Sequence, residues 1–256
     1  MKAAARCDTG LVREINQDRV FVSETRVGFL PNLLIVADGM GGHRAGDKAS
    51  QITVDTVLEE IQSMEKEPDD IGTFLASCAE EANRRVFEAS MSNYDWQGMG
   101  TTLVAATVIG KRLYCINVGD SRLYLLREDE IGERRLEQLT EDHSYVWGLM
   151  RSGLITEEEA FRHEKKNLIT RAIGQEEDVA VDIYCEDISD VRFILMCSDG
   201  LSDMIDKKEI MRILSLPGLG PDEIAESMKN AANNSGGKDN ISVIVADPRE
   251  EGDLKC

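Results

Sequence analysis

The sequence predicts an α+β fold built on antiparallel sheets within a single domain. Strand-like runs follow one another in the middle of the chain without helices between them, which is typical of a meander and not of a doubly wound parallel sheet. Two long amphipathic segments in the first third have helical spacing. No internal repeat and no linker divides the 256 residues, a length that one large domain can take.

The individual elements are predicted from the spacing of apolar residues and from turn residues. Helical spacing opposite a charged face predicts helices, the second of which begins at the start signal Pro68-Asp69-Asp70. The predicted helices are 45–64, 68–91, 144–152, 207–216 and 222–232. Runs rich in β-branched and aromatic residues, separated by turns such as Gly110-Lys111, predict strands. The predicted strands are 19–23, 33–37, 102–109, 112–118, 122–127, 191–198 and 241–246.

The chain is acidic, with 29 Lys+Arg against 48 Asp+Glu and a formal net charge of −19. This charge argues against nucleic acid as the main partner, because phosphate backbones are bound by basic surface. The hydrophobic content of 42% is ordinary for a globular protein, so the charge does not predict disorder. The short polar segment 248–256 is expected to be a dispensable tail behind a domain of residues 1–247.

The cellular compartment is inferred from the length of the apolar runs and from the spacing of the cysteines. The longest apolar runs have strand length, far below the roughly 20 residues of a membrane-spanning helix, so no membrane insertion is expected. No apolar signal-peptide stretch follows Met1. The six cysteines show no close pairing, and several lie inside apolar runs. These features favour a reducing cytoplasm.

Aspartates stand at the ends of several predicted strands: Asp38, Asp120, Asp199 and Asp239. Two of them precede glycine, and a single Asp-Gly would be interpreted as a turn, but the repetition favours a shared pocket. Clustered carboxylates repel one another unless a cation neutralises them. All-oxygen ligands favour Mg²⁺ or Mn²⁺ over zinc, and two such ions about 4 Å apart can activate water against a phosphate. The predicted chemistry is phosphoester hydrolysis.

A glycine-rich stretch, residues 39–43, follows the first of these aspartates. Such a composition lets the backbone approach a ligand or metal closely. The stretch is neither a dinucleotide-binding GxGxxG nor a Walker loop, because Arg44 stands where the third glycine belongs and no Lys-Ser/Thr follows. A lone histidine in a loop more often lies at the surface without a catalytic role. His43, however, lies five residues after Asp38. It is therefore predicted to donate a proton to the leaving-group oxygen.

Eight short motifs follow one another along most of the chain. They are DTGLVREINQD at 8–18, ADGMGGH at 37–43, GMGTT at 98–102, VGDSR at 118–122, LTEDHS at 139–144, TRAIG at 170–174, CSDGL at 197–201 and DN at 239–240. Together they resemble the metal-dependent serine/threonine protein phosphatases of the type 2C class, in their bacterial branch. The resemblance spans roughly residues 5–246, and so many separate motifs do not agree by chance.

The resemblance implies a four-layer α-β-β-α sandwich, two antiparallel β-sheets flanked by helices, with the active site between the sheet ends. It implies two Mn²⁺ or Mg²⁺ ions per site and attack of a water that bridges them on phosphoserine or phosphothreonine. The implied partners are phosphoprotein substrates and a cognate serine/threonine kinase whose action the enzyme reverses. Residues 144–167 match the family's flap, whose composition varies and where substrate preference is expected to be set.

The resemblance also assigns roles to individual residues. The implied metal-site residues are Asp18, Asp38, Gly39, Asp120, Asp199 and Asp239. Among them Gly39 contributes its carbonyl, Asp18 holds metal-bound water, and Asp120 shares a weaker third ion with Asp199. Arg13 matches the residue that binds substrate phosphate, a task suited to a guanidinium fork, and His43 matches the general acid. Many members have Glu where Gln17 stands, so one metal-water contact departs from the pattern.

Two alternatives belong to other classes. Cys7 to Arg13 satisfies the Cys-x5-Arg pattern of cysteine-dependent phosphatases, but a strand is predicted to follow where such a loop needs a helix. The second alternative is a catalytically silent domain of the same fold that binds phosphoproteins or regulatory partners. Degenerate relatives usually lose metal-site aspartates, which are retained here.

Overall fold

The computed structural model describes residues 1–41, 45–64 and 66–249. The strands are β1 Lys2–Asp8, β2 Arg19–Ser23, β3 Leu33–Ala37, β4 Gly39–Met40, β5 Gly100–Thr101, β6 Leu103–Ile109, β7 Arg112–Val118, β8 Arg122–Glu128, β9 Arg134–Gln138, β10 Asp182–Asp187, β11 Val191–Cys197 and β12 Ile241–Asp247. The helices are α1 Ala45–Ser63, α2 Ile71–Ser92, α3 Tyr145–Arg151, α4 Glu157–Phe161, α5 Asp199–Ser202, α6 Lys207–Leu214 and α7 Pro221–Asn234. From position 250 onward, the predicted tail lies outside the described residues.

Two five-stranded sheets form the centre of the molecule. Sheet 1 has the order β1-β12-β11-β8-β9 and sheet 2 has the order β10-β7-β6-β3-β2, with a separate short β4-β5 pair. Every strand pair is antiparallel, as the predicted meander requires. The prediction of an α+β fold with antiparallel sheets is confirmed.

Three apolar clusters fill the spaces between four layers. Leu34 and Val36 of sheet 2 meet Leu125 and Ile194 of sheet 1 in the middle cluster. A second cluster joins the other face of sheet 2 to α1 and α2, and a third joins the outer face of sheet 1 to α5, α6 and α7. Because strand side chains alternate between faces, each sheet can bury both of its faces in this way. The four-layer α-β-β-α sandwich is therefore confirmed.

The first residues of α2 and α3 are set by N-capping side chains that can be recognised in the sequence. The Asp70 carboxylate accepts the Thr73 backbone N–H at 2.6 Å, so α2 begins one residue later, at Ile71. Ser144 caps α3 in the same way, accepting the Trp147 N–H. Within the described ranges, no helix combines the length and the apolar character needed to cross a bilayer.

Sequence patterning missed the strands that depend on distant partners. β1 has an Ala-rich sequence with charged residues, yet its whole length pairs with β12, from Lys2 opposite Asp247 to Asp8 opposite Ile241. β10 lies inside the acidic run 176–190, which the composition alone suggests is a solvated face. It is an edge strand of sheet 2 with alternating burial, so only one of its faces is solvated.

The strand registers bring one end of both sheets together. Arg19 pairs with Ala37, so the start of β2 lies beside the end of β3. In sheet 1, Cys197 pairs with both Arg122 and Val243, so the end of β11 lies between the starts of β8 and β12. The residues next to these ends therefore meet at one edge of the sandwich. They are Asp18, Asp38, Asp120, Asp199 and Asp239.

Candidate active site

The five aspartates interact electrostatically, as their spacing at strand ends predicts. Burial raises the pKa of Asp38 well above its usual value, and the negative charges of Asp18 and Asp199 raise it further. Burial likewise raises the pKa of Asp199, with the charge of Asp120 as the next cause. Such shifts disfavour ionisation of these carboxyls unless a cation lies among them.

Two of the carboxylates carry buried oxygens with no protein partner. Asp18 Oδ2 accepts a hydrogen bond from Ser198 Oγ at 2.8 Å, whereas Asp18 Oδ1 is buried and has no partner among the described residues. Asp120 Oδ1 is likewise buried and has no hydrogen-bond partner among the described residues. Burial raises the pKa of Asp18 to about 6 and that of Asp120 to about 7. Unpaired buried oxygens are costly, and a bound cation would satisfy them.

This donor set fits Mg²⁺ or Mn²⁺, since every candidate ligand is an oxygen atom. Among the described residues, no three Asp, Glu, His or Cys side chains close around one point as a complete metal cage. Mg²⁺ does not require such a cage, because it usually keeps several waters and takes only one or two carboxylates. The carboxylates could therefore hold hydrated ions across the cleft.

Asp38 and Gly39 are fixed by backbone contacts. The Asp38 carbonyl accepts the Thr102 N–H at 2.9 Å and the Thr101 hydroxyl at 2.8 Å, while Thr102 Oγ1 accepts the Asp38 N–H. A Cβ on Gly39 would lie 2.2 Å from the Gly46 carbonyl oxygen, so only glycine fits between β3 and α1. The GMGTT motif thus positions the first aspartate.

The loop before β2 is attached to the start of β12 by Asn240. Its side-chain oxygen accepts the Gln17 N–H at 2.9 Å, and its Nδ2 donates to the carbonyls of Thr9 and Ile15 at 2.9 and 3.0 Å. This attachment brings Arg13 and Asp18 to Asp239. Gln17, which departs from the family pattern, contributes its backbone: its carbonyl also accepts the Ser50 hydroxyl at 2.6 Å.

Arg13 lies beside Asp239 at the sheet ends. Its Nη2 donates to Asp239 Oδ2 at 2.7 Å, and this hydrogen bond raises the pKa of the guanidinium. About half of the Arg13 side chain, 53%, remains exposed and available to a ligand. The predicted proton donor, His43, lies outside the described residues.

His143 is a residue to which sequence reasoning gave no role. Its Nδ1 accepts the Gly119 backbone N–H at 2.9 Å. The backbone N–H of His143 in turn donates to the Gly119 carbonyl at 3.0 Å. Its Nε2 lies 3.1 Å from Asp182 Oδ2 and 2.8 Å from Arg171 Nη1, and burial lowers the pKa of the imidazole. Gly119 has a φ of 108°, and a Cβ there would lie 2.6 Å from the Thr102 side chain. Neutral His143 therefore holds the turn that presents Asp120.

Asp203 is a sixth carboxylate that sequence reasoning also missed. Its charge raises the pKa of both Asp120 and Asp199. It forms an ion pair with Lys166 at 3.0 Å. The signal was present, because Asp203 stands four residues after Asp199, the spacing that places two side chains on one helix face.

The geometry argues against the cysteine-dependent mechanism. Cys7 lies in β1, and burial raises the pKa of its thiol, whereas a nucleophilic cysteine needs a lowered pKa. Its Sγ accepts a hydrogen bond from Asn16 Nδ2 at 3.1 Å. Arg13, the arginine of the pattern, binds Asp239 instead.

Buried carboxylates with raised pKa values beside an exposed guanidinium, at the sheet ends of a four-layer sandwich, are the arrangement that a metal-dependent phosphoester hydrolase needs. The family model described as "Protein phosphatase 2C" matches residues 12–217. The chain belongs to the type 2C protein phosphatase family, and it is a serine/threonine protein phosphatase whose substrates are phosphoproteins.

Several named phosphatases are similar to this chain over nearly its whole length. The serine/threonine phosphatase stp of Listeria monocytogenes is 40% identical over 251 residues, which are 96% of each chain. The structure of Stp1 from Staphylococcus aureus has a TM-score of 0.88 and 31% identity, covering 97% of this chain and 95% of that one. The catalytic domain of PstP, in complex with two manganese ions, has a TM-score of 0.80 and 35% identity, covering 96% and 97%.

Proposed function

We propose that this chain dephosphorylates phosphoserine and phosphothreonine with two Mn²⁺ or Mg²⁺ ions held by Asp38, Gly39, Asp199 and Asp239. The observation that carries the proposal is the set of buried carboxylates with raised pKa values and with unpaired oxygens on Asp18 and Asp120. The manganese-bound structure of the similar PstP domain supports the choice of ion. Asp120 and Asp199 would hold a weaker third ion.

When bound, the ions supply Lewis-acid chemistry that activates water and orients phosphate oxygens. The chain's own residues perform the remaining work. Asp18 orients the attacking water through its unpaired Oδ1, while its other oxygen is held by Ser198. Arg13 exchanges its hydrogen bond to Asp239 for bidentate hydrogen bonds to the substrate phosphate. His43, outside the described residues, donates a proton to the leaving serine or threonine oxygen.

The cellular setting follows from the same reasoning. Residues 1–247 form the catalytic unit, and the enzyme opposes a cognate serine/threonine kinase in the cytoplasm. The cysteines of the described part of the chain are free thiols, the state that a reducing cytoplasm favours. The net charge of −19 argues against a nucleic-acid partner.

Hydrolysis of p-nitrophenyl phosphate by the purified protein tests the proposal. We expect turnover that requires Mn²⁺ or Mg²⁺, is abolished by EDTA and survives Cys7→Ser. Loss of activity on thiol alkylation but not on chelation would instead support the cysteine mechanism. No turnover in Mn²⁺, with phosphopeptide binding unaltered by Asp38→Asn, would support the silent binding domain.

A further inference from the structure

Two buried serines stand beside proposed metal-site aspartates at the edge of sheet 1. Ser121 lies between Asp120 and the start of β8. Ser198 lies between the end of β11 and Asp199. Both serines have an exposed fraction of 0%, and a buried hydroxyl needs a hydrogen-bond partner. In both cases that partner is a residue next to a strand of sheet 2.

Ser198 connects the end of β11 to the start of β2. Its Oγ donates to Asp18 Oδ2 at 2.8 Å and accepts the Ser242 backbone N–H at 3.0 Å. An ionised carboxylate only accepts hydrogen bonds, so the single proton of the hydroxyl lies on its contact with Asp18. Hydrogen bonds to charged groups are roughly twice as strong as neutral ones. Ser198 therefore fixes one oxygen of Asp18, and the direction of the unpaired Oδ1 follows.

Ser121 connects the start of β8 to the turn after β3. Its Oγ and Thr102 Oγ1 form a hydrogen bond of 2.7 Å. The same Thr102 Oγ1 accepts the Asp38 N–H at 2.9 Å, and the Thr102 N–H donates to the Asp38 carbonyl at 2.9 Å. Thr102 is 0% exposed, so solvent does not compete for these contacts. Ser121 therefore reaches Asp38 through one intermediate side chain.

These two contacts differ in kind from the packing between the sheets. The middle cluster, in which Val36 meets Leu125 and Ile194, is apolar and its attraction is non-directional. A hydrogen bond, in contrast, weakens steeply when its distance or angle changes. Binding sites need their groups held to within about 0.5 Å. Directional contacts at this edge can give the aspartates that precision, whereas apolar packing alone cannot.

We propose that Ser121 and Ser198 are positioning residues that hold Asp38 and Asp18 of sheet 2 in place against the aspartates next to sheet 1. The inference rests on the proposed function, because the relative positions of these carboxylates determine how tightly cations are held between them. Both serines are buried, so they act through their contacts across the two sheets and not by touching the substrate. Loss of either hydroxyl leaves the apolar clusters intact and frees one aspartate from the opposite sheet.

Titration calorimetry with Mn²⁺ on the full chain tests this positioning. Ser198→Ala and Ser121→Ala each remove one hydroxyl with little change in volume. We expect each to weaken Mn²⁺ binding by about 10–100-fold, the loss typical of outer-shell partners of metal ligands. Ser198→Ala should have the larger effect, because its hydrogen bond reaches a charged group. Ser90→Ala is the matched control: Ser90 is buried in α2 and donates to the Phe87 carbonyl, so Mn²⁺ affinity should not change.

Double variants separate positioning from a general loss of stability. In an Asp18→Ala background the Ser198 hydroxyl no longer has its carboxylate, so Ser198→Ala should change Mn²⁺ affinity by less than about twofold. Thr102→Val keeps the shape of the side chain without the hydroxyl. In that background Ser121→Ala should likewise change the affinity by less than about twofold. Melting temperatures in EDTA check that every variant folds, and each pair of variants decides the role of its own serine.

Unchanged Mn²⁺ affinity in both single variants would overturn the inference. So would losses that are as large in the Asp18→Ala and Thr102→Val backgrounds as in the wild type, because the serines would then act by destabilising the fold. If the wild-type protein binds neither Mn²⁺ nor Mg²⁺, the proposed function fails. The positioning is then judged from metal-free crystal structures. Ser198→Ala should turn the Asp18 carboxylate from its wild-type orientation, and an unaltered carboxylate would contradict the inference.

Discussion

Two groups of acidic residues in this protein behave in opposite ways. On the surface of α2, hydrogen bonds from Arg84 and Arg85 lower the pKa of Glu81 to about 2. At the sheet ends, burial raises the pKa of Asp120 to about 7. The first group is ionised and paired within the protein, whereas the second is buried without enough counter-charge.

The difference shows what each group contributes to the fold. Surface ion pairs such as Glu81–Arg85 add little to stability, because water already solvates both partners. Buried carboxylates that repel one another destabilise the metal-free protein, so they oppose folding until a cation binds. The net charge of −19 is thus divided between a solvated surface and the proposed cation site.

The largest expected effect is that of Asp38→Asn. Removing a proposed metal ligand should reduce Mn²⁺-dependent activity at least about a hundredfold, since even outer-shell changes cost 10–100-fold. The same substitution removes a repelling charge, so the metal-free variant should melt at or above the wild-type temperature. Kinetics together with calorimetry in EDTA measure both effects. Retained activity would show that Asp38 is not a ligand.

The second prediction concerns pH. The pKa of Asp120 is about 7 in the folded protein and near its usual 3.8 when unfolded, so the folded state binds more protons between these values. The free energy of unfolding of the metal-free protein should therefore fall as pH rises from about 4 to about 7. Added Mn²⁺ should raise the melting temperature more at pH 8 than at pH 5, because protons compete with the metal.

Asp120→Asn provides the comparison for this pH dependence. In EDTA, the stability of this variant should decline less steeply with pH than that of the wild type. Equal slopes would mean that Asp120 does not carry the effect.

A smaller effect is expected from His143→Phe, which cannot accept the Gly119 N–H. Misplacing Asp120 should reduce activity by about 10–100-fold and weaken Mn²⁺ binding measured by calorimetry. His143→Gln should restore much of both, because its amide oxygen can accept the same hydrogen bond. If Gln and Phe behave alike, the hydrogen bond does not position Asp120. His163→Gln is the control, because the His163 imidazole accepts the Lys165 N–H and not that of Gly119.

The smallest effect is expected from Glu81→Gln on the surface of α2. Losing exposed ion pairs should shift the melting temperature by no more than about 2–4 °C. Mn²⁺ activation should be unchanged. A larger shift would mean that the Glu81–Arg84–Arg85 network does more than surface pairs usually do.

Local patterns predicted the elements that depend on nearby residues. The ends of β2, β3 and β7 agree with the predicted strands, since continuous apolar runs end at turn residues. β1 was missed because its pairing partner, β12, lies more than 230 residues away along the chain. The pairing of Asp203 with Lys166 and the contacts of His143 were missed for the same reason: their partners are distant in sequence.

The sequence by itself determined the class of protein, the antiparallel α+β architecture and the aspartates at the strand ends. Only the tertiary structure decided which oxygens lack partners and which carboxyls have raised pKa values. The physical reason is that residue type and spacing specify local conformation, whereas desolvation and charge repulsion depend on contacts between segments far apart in sequence.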